Sequence, residues 1–120
     1  MTVERVSHQL RRSLVHLSWE AEKQVEYINR LAVGPDELAL EFDDAFRVAS
    51  GMVSEGSLPA PLGNLLAPMD ELLSEMTRST QDEWSIDALG LSVAWQRLRM
   101  LAVEVLRYLE EESDLGSEAK

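Results

Sequence analysis

Apolar side chains recur along this chain every three or four residues, the spacing of amphipathic α-helices rather than strands. Val3, Val6, Leu10, Leu14, Leu17, Ala21, Val25, Ile28 and Leu31 keep a mean step of about 3.5 residues, the seam of a helix bundle. Thr2 is placed to cap this segment. Ser18-Trp19-Glu20 offers a second start with an acid in its first turn, so the segment reads as one helix or as two broken near Ser18. Gly34-Pro35 closes one helix and opens the next, and so short a connection makes the two antiparallel neighbours.

The second helix carries Leu38, Phe42, Ala45, Ala49 and Met52, with Phe46 and Val53 beside them, and runs to about Val53. The segment 54–61, SEGSLPAP, is predicted to be the longest and most mobile loop. Leu58, Leu62, Leu65, Met69, Leu72 and Met76 mark the third helix. Pro68 falls inside that stripe, removes one backbone hydrogen bond and crowds the carbonyl of Asn64, so a kink or break is expected there.

Thr80 and Glu83 have capping-box spacing, which starts the fourth helix near Gln81. Its main stripe is Trp84, Ala88, Leu91, Trp95, Leu98, Ala102, Val105 and Leu109. A second set, Ile86, Leu89, Val93 and Met100, lies on the opposite face. A helix apolar on two sides is buried from both, or buried once and used once for contact. The first option makes it the central helix, packed on the first and third. The second makes Ile86, Leu89 and Val93 a homodimer face. The polar end, Glu110–Lys120, is expected to fray. Together these elements predict an all-α, four-helix up-down-up-down antiparallel bundle, one domain over residues 1–120.

Composition narrows the chemistry. The chain has no cysteine, which excludes disulfides and thiolate catalysis. Met1–Arg5 lacks the basic start and apolar run of a signal peptide, and no apolar stretch approaches membrane-spanning length. A cytoplasmic location and no membrane partner are expected.

The net charge of −11 is concentrated in the middle of the chain, where residues 32–96 hold two basic against twelve acidic side chains. Such a field repels nucleic acid and attracts basic proteins. Arg97, Arg99 and Arg107 are too few for a nucleic acid site and are expected to pair with Glu104 and neighbouring acids.

The acids are densest in Pro35–Asp44, PDELALEFDD. Asp36, Glu37, Asp43 and Asp44 fall opposite the apolar stripe, and Leu40 falls among them, three or four residues from each. An apolar anchor ringed by carboxylates outlines a contact site for a basic partner. The plainer alternative is a solvated face with one scattered leucine.

Catalytic and metal patterns are weak. His8 and His16 sit eight residues apart on one segment, a poor chelating pair, and His16 with Glu20 gives two ligands at most. The acids at 36–44 lack calcium-loop spacing. Glu71 and Glu75 lie one turn apart like ordinary solvent-facing pairs, and no phosphate loop or serine elbow occurs. Trp19, Trp84 and Trp95 read as core or rim packing. No catalytic residue, cofactor or metal is expected.

Gln24–Ile28, DELALEFDD at Asp36–Asp44, Met69–Leu73, and Trp95 with Leu98, Leu101 and Leu106 resemble a family of small, acidic, helical bacterial proteins of uncharacterised role, over about residues 22–109. That resemblance transfers no catalytic residues. By size and charge it implies an immunity-like protein. The expected function is therefore a non-enzymatic protein–protein interaction domain, immunity- or antitoxin-like, that covers a basic partner with its acidic face. The alternatives are a homodimeric structural or regulatory protein and a bundle binding a small molecule or metal.

Overall fold

The computed structural model describes the backbone of residues 2–118 and the side chains of residues 2–112. Six helices follow one another: α1 (Val3–Ser18), α2 (Ala21–Leu31), α3 (Asp36–Glu55), α4 (Ala60–Arg78), α5 (Ile86–Leu91) and α6 (Val93–Glu118). No strand occurs among the described residues. The described residues are all-helical, with six helices among them where periodicity predicts four. α1 packs on α3 and α6, α4 packs on the same two, and α2 pairs with α5.

The first helix is broken, because Trp19 and Glu20 are extended, with ψ of 152° and 154°. A continuous helix would send the amides of residues 20 and 21 to the carbonyls of His16 and Leu17. Instead the side-chain amide of Gln24 donates to both carbonyls, at 3.1 and 3.2 Å. The Gln24 oxygen accepts from Arg99 of α6 at 2.8 Å, and Arg99 also donates to the carbonyl of Leu89. Gln24 is 0% exposed, so this one amide closes the end of α1 and ties α2 to α6. Arg99 thus faces inward, bound to an amide and a carbonyl rather than to Glu104. Burial pulls its pKa below that of a free guanidinium.

Left-handed backbone ends α2, and the residue adopting it is Ala32 (φ 57°), two positions before the glycine that periodicity singles out. Its amide and that of Val33 return to the carbonyls of Asn29 and Ile28, which closes the helix. α3 ends at Gly56 (φ 84°), where a glycine adopts the same conformation without a Cβ clash.

The connection expected over 54–61 shrinks to residues 56–59, because α3 runs to Glu55 and α4 starts at Ala60. α4 then runs unbroken through Pro68. Leu66, Met69 and Leu73 are buried around that position, while Pro68 and Asn64 are exposed. Packing of the inner face holds the helix across the missing bond, and solvent is available to the Asn64 carbonyl.

The longest connection is 79–85, where the fourth helix was expected to begin. Ser79 accepts from the amide of Gln81, and Asp82 from the amide of Trp84. These local bonds compete with helix formation. Glu83 does not complete a capping box. It is buried and accepts from Ser92 at 2.5 Å, while its carbonyl accepts from the Trp95 indole at 2.7 Å. Ser85 caps α5, and Ser92 accepts from the amide of Ala94 at the start of α6. α6 continues to Glu118, past the onset of the expected frayed tail; residues 119–120 lie outside the described residues.

The core is one cluster. Leu10, Leu14, Phe42, Leu66, Met69, Trp95 and Leu98 are among its fully buried members. No described helix is long and apolar enough to cross a membrane.

Candidate functional site

α3 turns its buried stripe, Leu38, Phe42, Ala45 and Ala49, to the core, which leaves Leu40 on the outside. Leu40 is 50% exposed and is flanked on its own helix by Asp36 and Asp43. The four-residue connection folds α4 back along α3, and Gly63 leaves room for the Val53 side chain of α3. A Cβ at that position would lie 3.1 Å from the Val53 side chain. Between the two helices lies a cleft of about 510 Å³. Its floor is Ala39, Leu40 and Leu73, its far wall is Trp84 from the 79–85 connection, and its carboxylates are Asp36, Asp43 and Asp70. Ser74 and Thr77 complete the α4 side.

Trp84 is half-buried at this wall. Its ring meets Trp95 edge to face, with centroids 5.8 Å apart, and Trp95 is fully buried. Arg47 donates to Asp43 at 2.8 Å. Asp43 first, and then Asp70 and Asp44, hold the Arg47 guanidinium above the usual arginine pKa. Among the described residues, neither Asp36 nor Asp70 has an ion-pair partner.

The structure brings Asp36, Leu40 and Asp43 of the sequence-predicted face into one cleft. It does not bring in Glu37, which is half-buried outside the cleft, or Asp44, which lines a separate hollow of about 290 Å³ with Arg12 and Gln9 of α1. Asp70, Leu73 and Trp84 belong to the site although sequence spacing did not point to them, because their neighbourhood with α3 is created only by the fold. The carboxylate of Asp70 is the signal closest to legible: it directly follows the stripe residue Met69 on α4.

The three residues of the expected dimer face are not on one surface. Leu89 is fully buried, whereas Ile86 and Val93 are exposed. The helix break at Ser92 puts Ile86 and Val93 on different helices, so the common face that a single helix would give is lost. The most exposed apolar side chains nearby are Leu91 at 80% and Val93 at 77%.

A second cluster joins α1, α2 and α3. His16 pairs with Glu41 at 2.9 Å, not with Glu20, and the Tyr27 hydroxyl donates to the other Glu41 oxygen at 2.5 Å. The His16 ring lies 4.6 Å from Trp19 and 4.4 Å from Tyr27, and Lys23 covers the Trp19 face at 4.5 Å. Burial first, and then the bond to Glu41, push the Tyr27 pKa up to about 12. A hydroxyl so firmly protonated is a poor base, and both Glu41 oxygens are engaged, one by His16 and one by Tyr27. The cluster fastens three helices together. Among the described residues, no group of three potential ligands is placed to hold a metal ion.

No protein-family model matches the chain, and no curated protein or solved structure matches it either.

Proposed function

We propose that this chain is a non-enzymatic protein-binding domain whose α3–α4 cleft docks a basic protein. The immunity- or antitoxin-like version of that role is occlusion: the acidic cleft covers a basic functional surface of its partner. The carrying observation is Leu40, half exposed on the floor of a cleft whose charged groups are three carboxylates. An exposed apolar centre inside a charged rim is the anatomy of a steered contact surface. We read the scaffold as an up-down-up-down bundle of α1, α3, α4 and α6, with α2 and α5 paired beside it. Support comes from the packing, in which each of the four meets two others.

Leu40→Glu tests the docking role. Immobilised wild type should retain a basic partner in a salt-sensitive manner, and the variant should release it. Equal retention by a folded variant rejects the face. A second reading, a homodimer, is favoured by the adjacent exposed Leu91 and Val93. A monomeric mass by light scattering at high micromolar concentration rejects it.

A further inference from the structure

The two ends of the α3–α4 cleft differ, and the difference specifies what enters it. Asp36 and Asp43 are seven residues apart, about 10 Å of helix. At the Asp43 end, the chain already supplies a guanidinium of its own, Arg47, drawn to Asp43 and the field of Asp70. At the Asp36 end no such cation is present among the described residues, and Trp84 lines the same cleft. Between them lies the apolar floor of Leu40 and Leu73.

We propose that the cleft receives an amphipathic helix of a basic partner protein, whose apolar side chain seats on Leu40 and Leu73 while an arginine one turn along lies on Trp84 and pairs with Asp36. This rests on the protein-docking reading above. Arginine fits better than lysine, because its planar guanidinium stacks on an indole while donating to a carboxylate in its own plane. The spacing between floor and Asp36 is one helical turn, since Leu40 and Asp36 are themselves four residues apart, and a helix laid along α3 repeats that interval. A small cationic molecule is disfavoured by Leu40 itself: small-molecule pockets enclose their ligands, whereas this floor residue keeps half its surface in water. A second copy of the chain is disfavoured by charge, since each copy carries −11.

The test is a backbone and indole NMR titration of the full chain with a designed helical peptide bearing one leucine and one arginine four residues apart. Two control peptides carry Arg→Gln or Leu→Ser, and N-ethylguanidinium serves as a bare cation. The expected result is shifts at Leu40, Leu73 and the Trp84 indole, with affinity at least tenfold weaker for either control peptide and for Asp36→Asn. Equal affinity of the Arg→Gln peptide, or of the Asp36→Asn chain, overturns the arginine assignment and leaves the docking reading standing. Equal affinity of N-ethylguanidinium overturns the helical occupant. Absence of shifts at all three cleft positions with every peptide overturns both the inference and the docking reading.

Discussion

The hydroxyl of Tyr27 on α2 donates to the carboxylate of Glu41 on α3 at 2.5 Å, and the other oxygen of that carboxylate holds His16 of α1. A single acid thus fastens three helices, and the bond from Tyr27 exists only while the hydroxyl keeps its proton. The native pKa of Tyr27 is raised from 10.0 to about 12. The native state therefore binds this proton more tightly than the unfolded chain does. The stabilisation is fully present below pH 10 and is lost as pH rises through about 12. Chemical denaturation from pH 8 to 12 should show stability falling over that window, with a shallower fall in Tyr27→Phe. Tyr108 is also raised, by burial and then Glu112, so some slope should persist in the variant.

Gln24 is the polar residue on which most of the interior depends. Removing its amide in Gln24→Ala leaves two carbonyls at the end of α1 and one face of Arg99 without a partner. Stranded buried polar groups are expensive, so a loss of about 2–4 kcal/mol is expected in urea denaturation. Gln24→Glu should be damaging too, since a carboxylate accepts from Arg99 but cannot donate to the carbonyls of His16 and Leu17.

Ala32 occupies left-handed backbone at φ 57°, where a Cβ is strained. Ala32→Gly should relieve that strain, offset in part by the greater freedom of glycine in the unfolded chain. The expected gain is up to about 1 kcal/mol, read as a higher denaturation midpoint with an unchanged slope.

Leu40 and Phe42 are two residues apart and should behave oppositely. Leu40→Ser removes an exposed side chain and should change stability by no more than about 0.5 kcal/mol. Phe42→Ala empties a fully buried site stacked on Phe46 and should cost about 3–5 kcal/mol. Similar losses for both would show that Leu40 is covered in solution.

Helical periodicity alone points to the all-α class, the buried stripe of α3 and the cap at Thr2, and it leaves open both the break near Ser18 and whether the last stretch is central or carries a dimer face. Those features are local, or follow from which face of a helix must leave water. It also groups Asp36 and Asp43 with Leu40, because i, i+4 and i+7 share a helix face, although it adds Glu37 and Asp44, which lie outside the cleft. Tertiary structure decided the rest. Asp70, Leu73 and Trp84 join that face only because α4 folds back on α3, and Glu41 reaches His16 and Tyr27 across long stretches of chain. Pro68 was read as a kink or break because local strain was weighed without the packing that holds α4 continuous. Period alone leaves Leu89 either buried or on a dimer face with Ile86 and Val93, because the turn bonds at 79–85 and the cap at Ser92, which divide the last stripe into α5 and α6, leave the apolar period undisturbed. Period fixes which side of a helix faces inward; where a helix stops, and which helix lies across from it, depends on bonds between residues far apart in sequence.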